Sequence, residues 1–262
     1  MGRYLKTLRR FWGTALASQT EYQANLLFDL LAMGGNLTGS LFVIRLFFEG
    51  GRSLGGWSWP EALVVLGVYT LLDGVASTLL RPNLSRIVTQ VQEGTLDFVL
   101  LKPIDSQFWL STRTFALGGL PEVGAGLVLI VWAARAAGAR SSPAVVGAAL
   151  LLLGASLTIL YSLWFVLATT SIWFVKTWNA TEVLRATLTA GRYPITAYPQ
   201  TLRLLFTVVI PVAFLTTVPA EAILGRPSWP WLLAGAGMAS ACFALSRGFW
   251  QLALRFHTSA SS

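Results

Sequence analysis

The chain is poor in the residues that soluble chemistry depends on. It has one cysteine, Cys242, and one histidine, His257. A single cysteine excludes an intramolecular disulfide, and no His/Cys cluster with metal-ligand spacing can be drawn. Cys242 lies within an apolar run and reads as a small packing residue. Charge is scarce as well: 11% of the residues are charged, where soluble domains carry roughly 25%. With 55% hydrophobic residues and a mean hydropathy of +0.64, the class is integral membrane. No polar block is long enough to fold as a soluble unit, so residues 1–262 read as one transmembrane domain. Motifs are missing too. There is no GxxxxGK[ST] phosphate loop, HExxH or CxxC, each of which carries a specific site chemistry. No catalytic residue, metal site or cofactor of its own is therefore assigned. Any ATP this chain uses must be bound by another chain.

What is present is a series of apolar runs, each near the roughly 20 residues needed to cross a bilayer. They lie at Gln23–Phe47, Trp59–Leu80, Phe108–Ala133, Ala144–Phe174, Leu202–Val218 and Trp231–Trp250. The expected fold is all-α, with six transmembrane helices. The fourth run is longer than a crossing needs and should tilt or extend into water. The fifth contains Pro211, which removes a backbone donor and should kink it. Ahead of the first span, residues 1–20 read as an amphipathic interfacial helix: Tyr4, Leu8, Phe11, Trp12 and Ala15 share a face, while Arg3, Lys6 and Arg10 recur on another.

The formal net charge of +8 does not point to nucleic acid, because no basic patch interleaved with aromatics accompanies it. It orients the protein instead. Four cations fall in the N-terminal stretch, four in the loop Arg81–Arg113, four in Lys176–Arg203 and two at the C-terminal end. Five remain for the other side: Arg45, Arg52, Arg135, Arg140 and Arg226. Lys and Arg accumulate in cytoplasmic loops, so both termini and the loops 81–107 and 175–201 are expected in the cytoplasm. Trp57, Trp59, Trp229 and Trp231 fall where an outer aromatic belt belongs. In the second loop Asn179 and Glu182 resemble a capping box, Gly191 a helix terminator, and Pro194 and Pro199 a rigid turn before the fifth span. Pro219 to Gly225 reads as a short helix at the outer face.

Ionisable residues inside the predicted spans include Asp29, Asp73, Arg113 and Glu122. Such residues are costly in a bilayer and mark function by default. The first three lie near predicted cytoplasmic ends. Glu122, beside Pro121, is nearer mid-span and could line a pathway or pack as a neutral, hydrogen-bonded group. Gly35 and Gly39 form a GxxxG pair fitting either an intramolecular contact or a dimer seam.

The densest constellation is the segment Arg81–Phe108. Leu84, Ile87, Val88 and Val91 share a helical face, and Gly94 should end that helix. Thr95 can cap a second short helix, with Asp97 in its first turn, where the helix dipole favours an acid. Leu96, Phe98, Val99, Leu100 and Leu101 make an apolar patch too short to span, stopped by Lys102 and Pro103. A compact apolar patch framed by both charge signs suits protein docking.

Here the sequence resembles the ABC-2-type permeases, the membrane subunits of ATP-binding-cassette exporters. In that family the loop between spans two and three typically reads G-T-L-[DE]-x-[LV]-L-x-x-P, matched by Gly94, Thr95, Leu96, Asp97, Val99, Leu100 and Pro103. The stretches AGRYPITAYP and FTVVIPVAFLTTVPAEAILG are similar to a bacterial subgroup of these permeases. The resemblance implies a coupling helix seated on a cytoplasmic ATPase, with Glu93 and Lys102 beside the matched residues. It also implies a short outer re-entrant region after the fifth span, a bacterial plasma-membrane location, and a second, related permease subunit favoured over a homodimer. The partners expected are thus ATPase subunits, a second permease and the lipid bilayer, and no nucleic acid. The alternative from another class is a proton-coupled secondary transporter using Glu122.

Overall fold

The computed structural model describes residues 7–8, 11–13, 23–49, 53–174 and 184–256, with only the backbone of 23–26. Among them every regular element is helical. The long helices are α1 (Gln23–Phe48) and α2 (Trp59–Gln92), then α5 (Leu120–Ala136), α6 (Pro143–Thr169) and α9 (Trp229–Phe256). Two short helices, α3 (Asp97–Leu100) and α4 (Ser106–Thr112), stand between α2 and α5. A bent pair, α7 (Gln200–Val209) and α8 (Val212–Ile223), precedes α9. The N-terminal helix expected over 1–20, the Asn179/Glu182 capping pair and His257 fall largely or wholly outside the described residues.

The centre of the bundle is α2, with 67% of its apolar window buried against 11% for α1. Lipid tails are as apolar as leucine, so helix association in a membrane rests on close packing of small residues rather than on expulsion of water. The α2–α5 seam is built that way. A Cβ on Gly74 would lie 2.5 Å from the backbone nitrogen of Val123, and one on Gly126 2.5 Å from that of Leu71. At Gly35 and Gly39 of α1, by contrast, a Cβ would meet no atom within 4 Å. Among the described residues the GxxxG pair therefore has open space in front of it.

At 34 residues, α2 is about 51 Å long and outruns a hydrocarbon core of about 30 Å. It does not stop at Leu80. A π-turn, Ala76–Leu80, leads into Arg81 and Pro82, and the helix continues to Gln92. Pro82 has no N–H for the carbonyl of Thr78; the N–H of Ala116 donates to that oxygen instead, at 2.9 Å. Asn83, 1% exposed, completes the join. Its Nδ2 donates to the carbonyls of Leu79 and Thr114, at 2.6 and 2.7 Å, and its Oδ1 accepts from the N–H of Thr114 at 2.7 Å. The third span consequently starts at Leu117, after a break at Arg113–Ala116, rather than at Phe108. Arg113 lies in that break, exposed, with its guanidinium 5.9 Å from the Trp109 ring centroid, and is not an intramembrane residue.

The fifth apolar run also departs from expectation. Its halves meet at Ile210–Pro211 with a 70° bend. Both outer ends lie beside the α1–α2 loop. Just before α7, Thr196 donates to the carbonyl of Gly55 at 2.9 Å and accepts from Trp57 Nε1 at 3.0 Å; just after α8, Arg226 pairs with Glu61. The bend is deep in the bundle, where Ser156, midway along α6, donates to the carbonyl of Phe214 at 2.8 Å. The pair is thus re-entrant, not a crossing. Ten and twelve residues are each too short to span, and a side-chain hydroxyl satisfies the backbone that the bend frees.

Residues 184–197 run alongside this pair, from the depth of Asp73 to the α1–α2 loop. Arg185 lies level with Asp73 and Arg81. Arg192 donates to Ser40 Oγ at 3.2 Å and covers the Tyr69 ring at 5.0 Å, and the N–H of Ile195 meets Thr217 Oγ1 at 3.0 Å. This segment, expected in a loop on the same side as 81–107, climbs instead through the bundle to the opposite end. Its prolines and arginine read as loop chemistry because their partners are far away in sequence. Trp57, expected in a lipid-facing belt, is 6% exposed and donates into this segment.

Candidate coupling surface

The end of the bundle opposite Trp57 carries the helical hairpin that follows α2. Its first turn is set by Gly94, at φ +68°, a conformation that only glycine adopts without a steric penalty. The N–H of Thr95 reaches back to the carbonyl of Gln90 at 2.9 Å and that of Gly94 to Val91 at 3.3 Å, the paired bonds that close a helix C-terminus. Thr95 does not cap α3: Leu96 takes the N-cap position, and Thr95 Oγ1 turns back toward the Gln90 carbonyl at 3.5 Å.

The apolar patch divides by face. Leu96 and Val99 are 0% and 4% exposed, whereas Phe98 and Leu101 are 69% and 81% exposed. Leu96 and Val99 therefore hold the hairpin against Leu84 and Ile87, which the shared helical face anticipated, and present no surface to a partner. Leu100 packs half-buried beside them. The outward groups are Glu93, Phe98, Leu101 and Pro103, while Asp97 is half-buried. Lys102 is drawn sideways, its Nζ 4.1 Å from the Trp109 ring centroid.

The return arm, α4, is anchored on two spans. Asp105 caps it, accepting from the N–H of Phe108 at 2.8 Å, and pairs with Arg247 of α9. The hydrogen-bonded Arg247 guanidinium holds the Asp105 carboxyl below the usual carboxylate range, outweighing the opposing effect of burial. Trp250 Nε1 donates to Ser106 Oγ at 3.0 Å, and Gln107 Nε2 to Tyr161 Oη of α6 at 3.0 Å. The N-terminal stretch also docks here: Phe11 meets Trp109 edge-on at 4.7 Å, and Trp12 Nε1 donates to the Thr112 carbonyl at 3.3 Å. The aromatic face expected on lipid thus rests on α4. Displacement of the hairpin would be transmitted to α2, α6, α9 and the N-terminal stretch.

A second polar cluster lies deeper. Arg81 pairs with Asp73 and donates to Ser77 Oγ at 2.9 Å; Ser77 donates to Glu122 Oε2 at 3.1 Å. Glu122 sits in the first turn of α5, not mid-span, because the helix starts later than its apolar run. Arg192, which hydropathy placed outside the spans, lines the same cleft as Glu122. Only the chain's path to Ser40 and Tyr69 reveals it. Among the described residues no three His, Cys, Asp or Glu side chains converge as metal ligands would.

Residues 35–261 match the family model described as ABC-2 family transporter protein. No curated protein and no solved structure matches the chain.

Proposed function

We propose, from the premise that this chain belongs to the ABC-2 family of transporter proteins, that it is the permease subunit of an ATP-driven exporter in a bacterial plasma membrane. A separate cytoplasmic ATPase energises it, and the chain has no catalytic role of its own. The observation that carries this reading is the exposed pair Phe98 and Leu101 on a hairpin locked from both sides. Exposed aromatic and aliphatic groups on a rigid element, ringed by Glu93 and other polar residues, have the makeup of an interface core with a polar rim.

The hairpin end faces the cytoplasm in this reading. With Arg192 inside the bundle and Arg203 bonded to Thr196 near the opposite end, the remaining cations still concentrate at the hairpin end. ATP-dependent closure of the ATPases then moves α3 and α4 together. Work is done only because the ATPase binds the two permease arrangements with different affinity. A second, related permease completes the pathway. The little-buried α1, with Gly35 and Gly39 open, suits that contact. Glu122 and Asp73 line the cleft between spans. Their ties to Ser77 and Arg81 favour a fixed polar lining over a lone acid carrying protons.

The test is capture of partners from native membranes with a tagged chain. Wild type should retain an ATPase chain; Phe98→Glu with Leu101→Glu should lose it while keeping the wild-type elution profile and melting temperature. Retention of the ATPase by the double variant would overturn the assigned surface.

A further inference from the structure

Between α2, α6, α8 and the 184–197 segment lies a partly open cleft at the depth of Asp73. Its walls are apolar: Leu72, Leu160, Leu188 and Leu215. Three polar groups on it are unusual. Trp164 is 8% exposed and Thr216 2%, yet Trp164 Nε1, Thr216 Oγ1 and Arg81 Nε have no hydrogen-bond partner among the described residues. In the adjoining cleft, which shares Tyr69 and Asp73 with the first, Arg192 Nε is in the same condition. Buried polar groups nearly always find partners, so several orphans around one space call for an explanation.

Their chemistry points one way. An indole N–H and a guanidinium Nε–H can only donate, and a threonine hydroxyl can donate. The acceptors nearby are engaged: Asp73 with Arg81, and Glu122 with Ser77. The two clefts are lined by the guanidinium groups of Arg81 and Arg192, each with an Nε–H turned to the space. Free donors and apolar walls match the usual makeup of a small-molecule site. They specify an occupant with an acceptor-rich negative head and an apolar body. The preceding π-turn, Ala76–Leu80, adds a local departure from α-geometry of the kind frequent at functional sites.

We propose that this cleft binds the oxyanion head, phosphate or carboxylate, of an amphipathic molecule within the membrane. Arg81, Trp164 and Thr216 grip the head, and the leucines hold the first carbons of the tail. The site is complete within one chain and does not depend on how transport is energised.

The test uses the purified full-length chain in a neutral detergent, titrated separately with dioctanoyl phosphatidylglycerol, decanoate and inorganic phosphate. Binding is read by thermal shift and native mass spectrometry. Thr216→Val keeps the shape and removes one donor; Trp164→Phe keeps an aromatic ring but loses the pyrrole half of the indole together with its N–H. At least one probe should bind saturably to wild type, and each variant should weaken it about tenfold or more, as expected for loss of a hydrogen bond to a charged group. Unliganded Thr216→Val should melt no lower than wild type, because it loses an orphaned donor at constant shape, whereas Trp164→Phe also leaves a cavity and is judged on binding alone. Binding of the lipid, of decanoate or of phosphate alone distinguishes a lipid head, a carboxylate amphiphile and a free anion, all within the proposal. Absence of saturable binding, or binding that both variants leave unchanged, would overturn it. So would a Thr216→Val variant that melts lower without ligand, since the hydroxyl would then be satisfied by ordered water in the empty protein.

Discussion

Replacing Asn83 with leucine tests the join on which the hairpin's position depends. Leucine keeps the branching and heavy-atom count of the side chain; its methyls are bulkier than the amide, so loss of the hydrogen bonds is accompanied by a small overpacking cost. Three hydrogen bonds of 2.6–2.7 Å disappear, two of them to the N–H and C=O of Thr114. A buried hydrogen bond contributes about 0.5–1.5 kcal/mol net, and a stranded buried partner costs about 1–3 kcal/mol. Asn83 is buried but Thr114 is half-exposed, so water can reclaim part of the loss. Asn83→Leu should therefore cost about 2–4 kcal/mol. Asn83→Asp separates the two halves of the contact. It can still accept from the Thr114 N–H, but it sets a carboxylate against the Thr114 and Leu79 carbonyls. It should fall between wild type and leucine at neutral pH. Thermal unfolding in a fixed detergent, read by tryptophan fluorescence and by loss of the monodisperse elution peak, gives the order. The reasoning fails if Asn83→Leu melts with wild type, because the break at Arg113–Ala116 would then be held by something else.

Two further perturbations follow. Asp105→Asn keeps an N-cap acceptor and removes the charge, so it should cost less than about 1 kcal/mol, given the part-exposed Arg247; Asp105→Ala loses the cap as well, for about 1 kcal/mol more. Because Asp105's folded carboxyl titrates below its ordinary value, the stabilisation is present above about pH 4 and lost as pH falls through the lower folded value. The melting difference between wild type and Asp105→Asn should shrink below that pH, and a difference that grows there would reverse the assignment. Gly126→Leu should part α2 from α5 and cost about 1–3 kcal/mol or more, whereas Gly35→Leu should leave the isolated chain's melting within about 0.5 kcal/mol. Equal melting of the two variants would refute the seam.

The sequence was most informative where one residue decides the geometry. Gly94 announces the left-handed turn, Pro211 the break in the fifth run, and the spacing of Leu84, Ile87 and Val91 the buried face of α2. It was silent where the deciding partner is remote. The third span looks continuous from Phe108 because Asn83, which stabilises its break, lies 31 residues away. Arg192 reads as a loop residue because Ser40, which accepts its hydrogen bond, is 152 residues distant. Within Leu96–Leu101, five apolar side chains and one acid carry no period long enough to separate the faces. Burial shows that Leu96 and Val99 of the expected apolar patch pack into the fold, and that Phe98 and Leu101 of the same patch face outside. The re-entrant region was anticipated at the right place but too short, since Pro219 marks only part of its second arm.

The coupling surface is tested most directly by photo-crosslinking in living cells, with a photo-reactive phenylalanine analogue placed at Phe98, at Leu101 or, as the buried control, at Leu96. The account predicts that positions 98 and 101 yield a covalent adduct with a separate chain carrying a GxxxxGK[ST] phosphate loop, and that position 96 yields none. Adducts at 98 and 101 only with lipid, or with a partner lacking any nucleotide-binding loop, would contradict it.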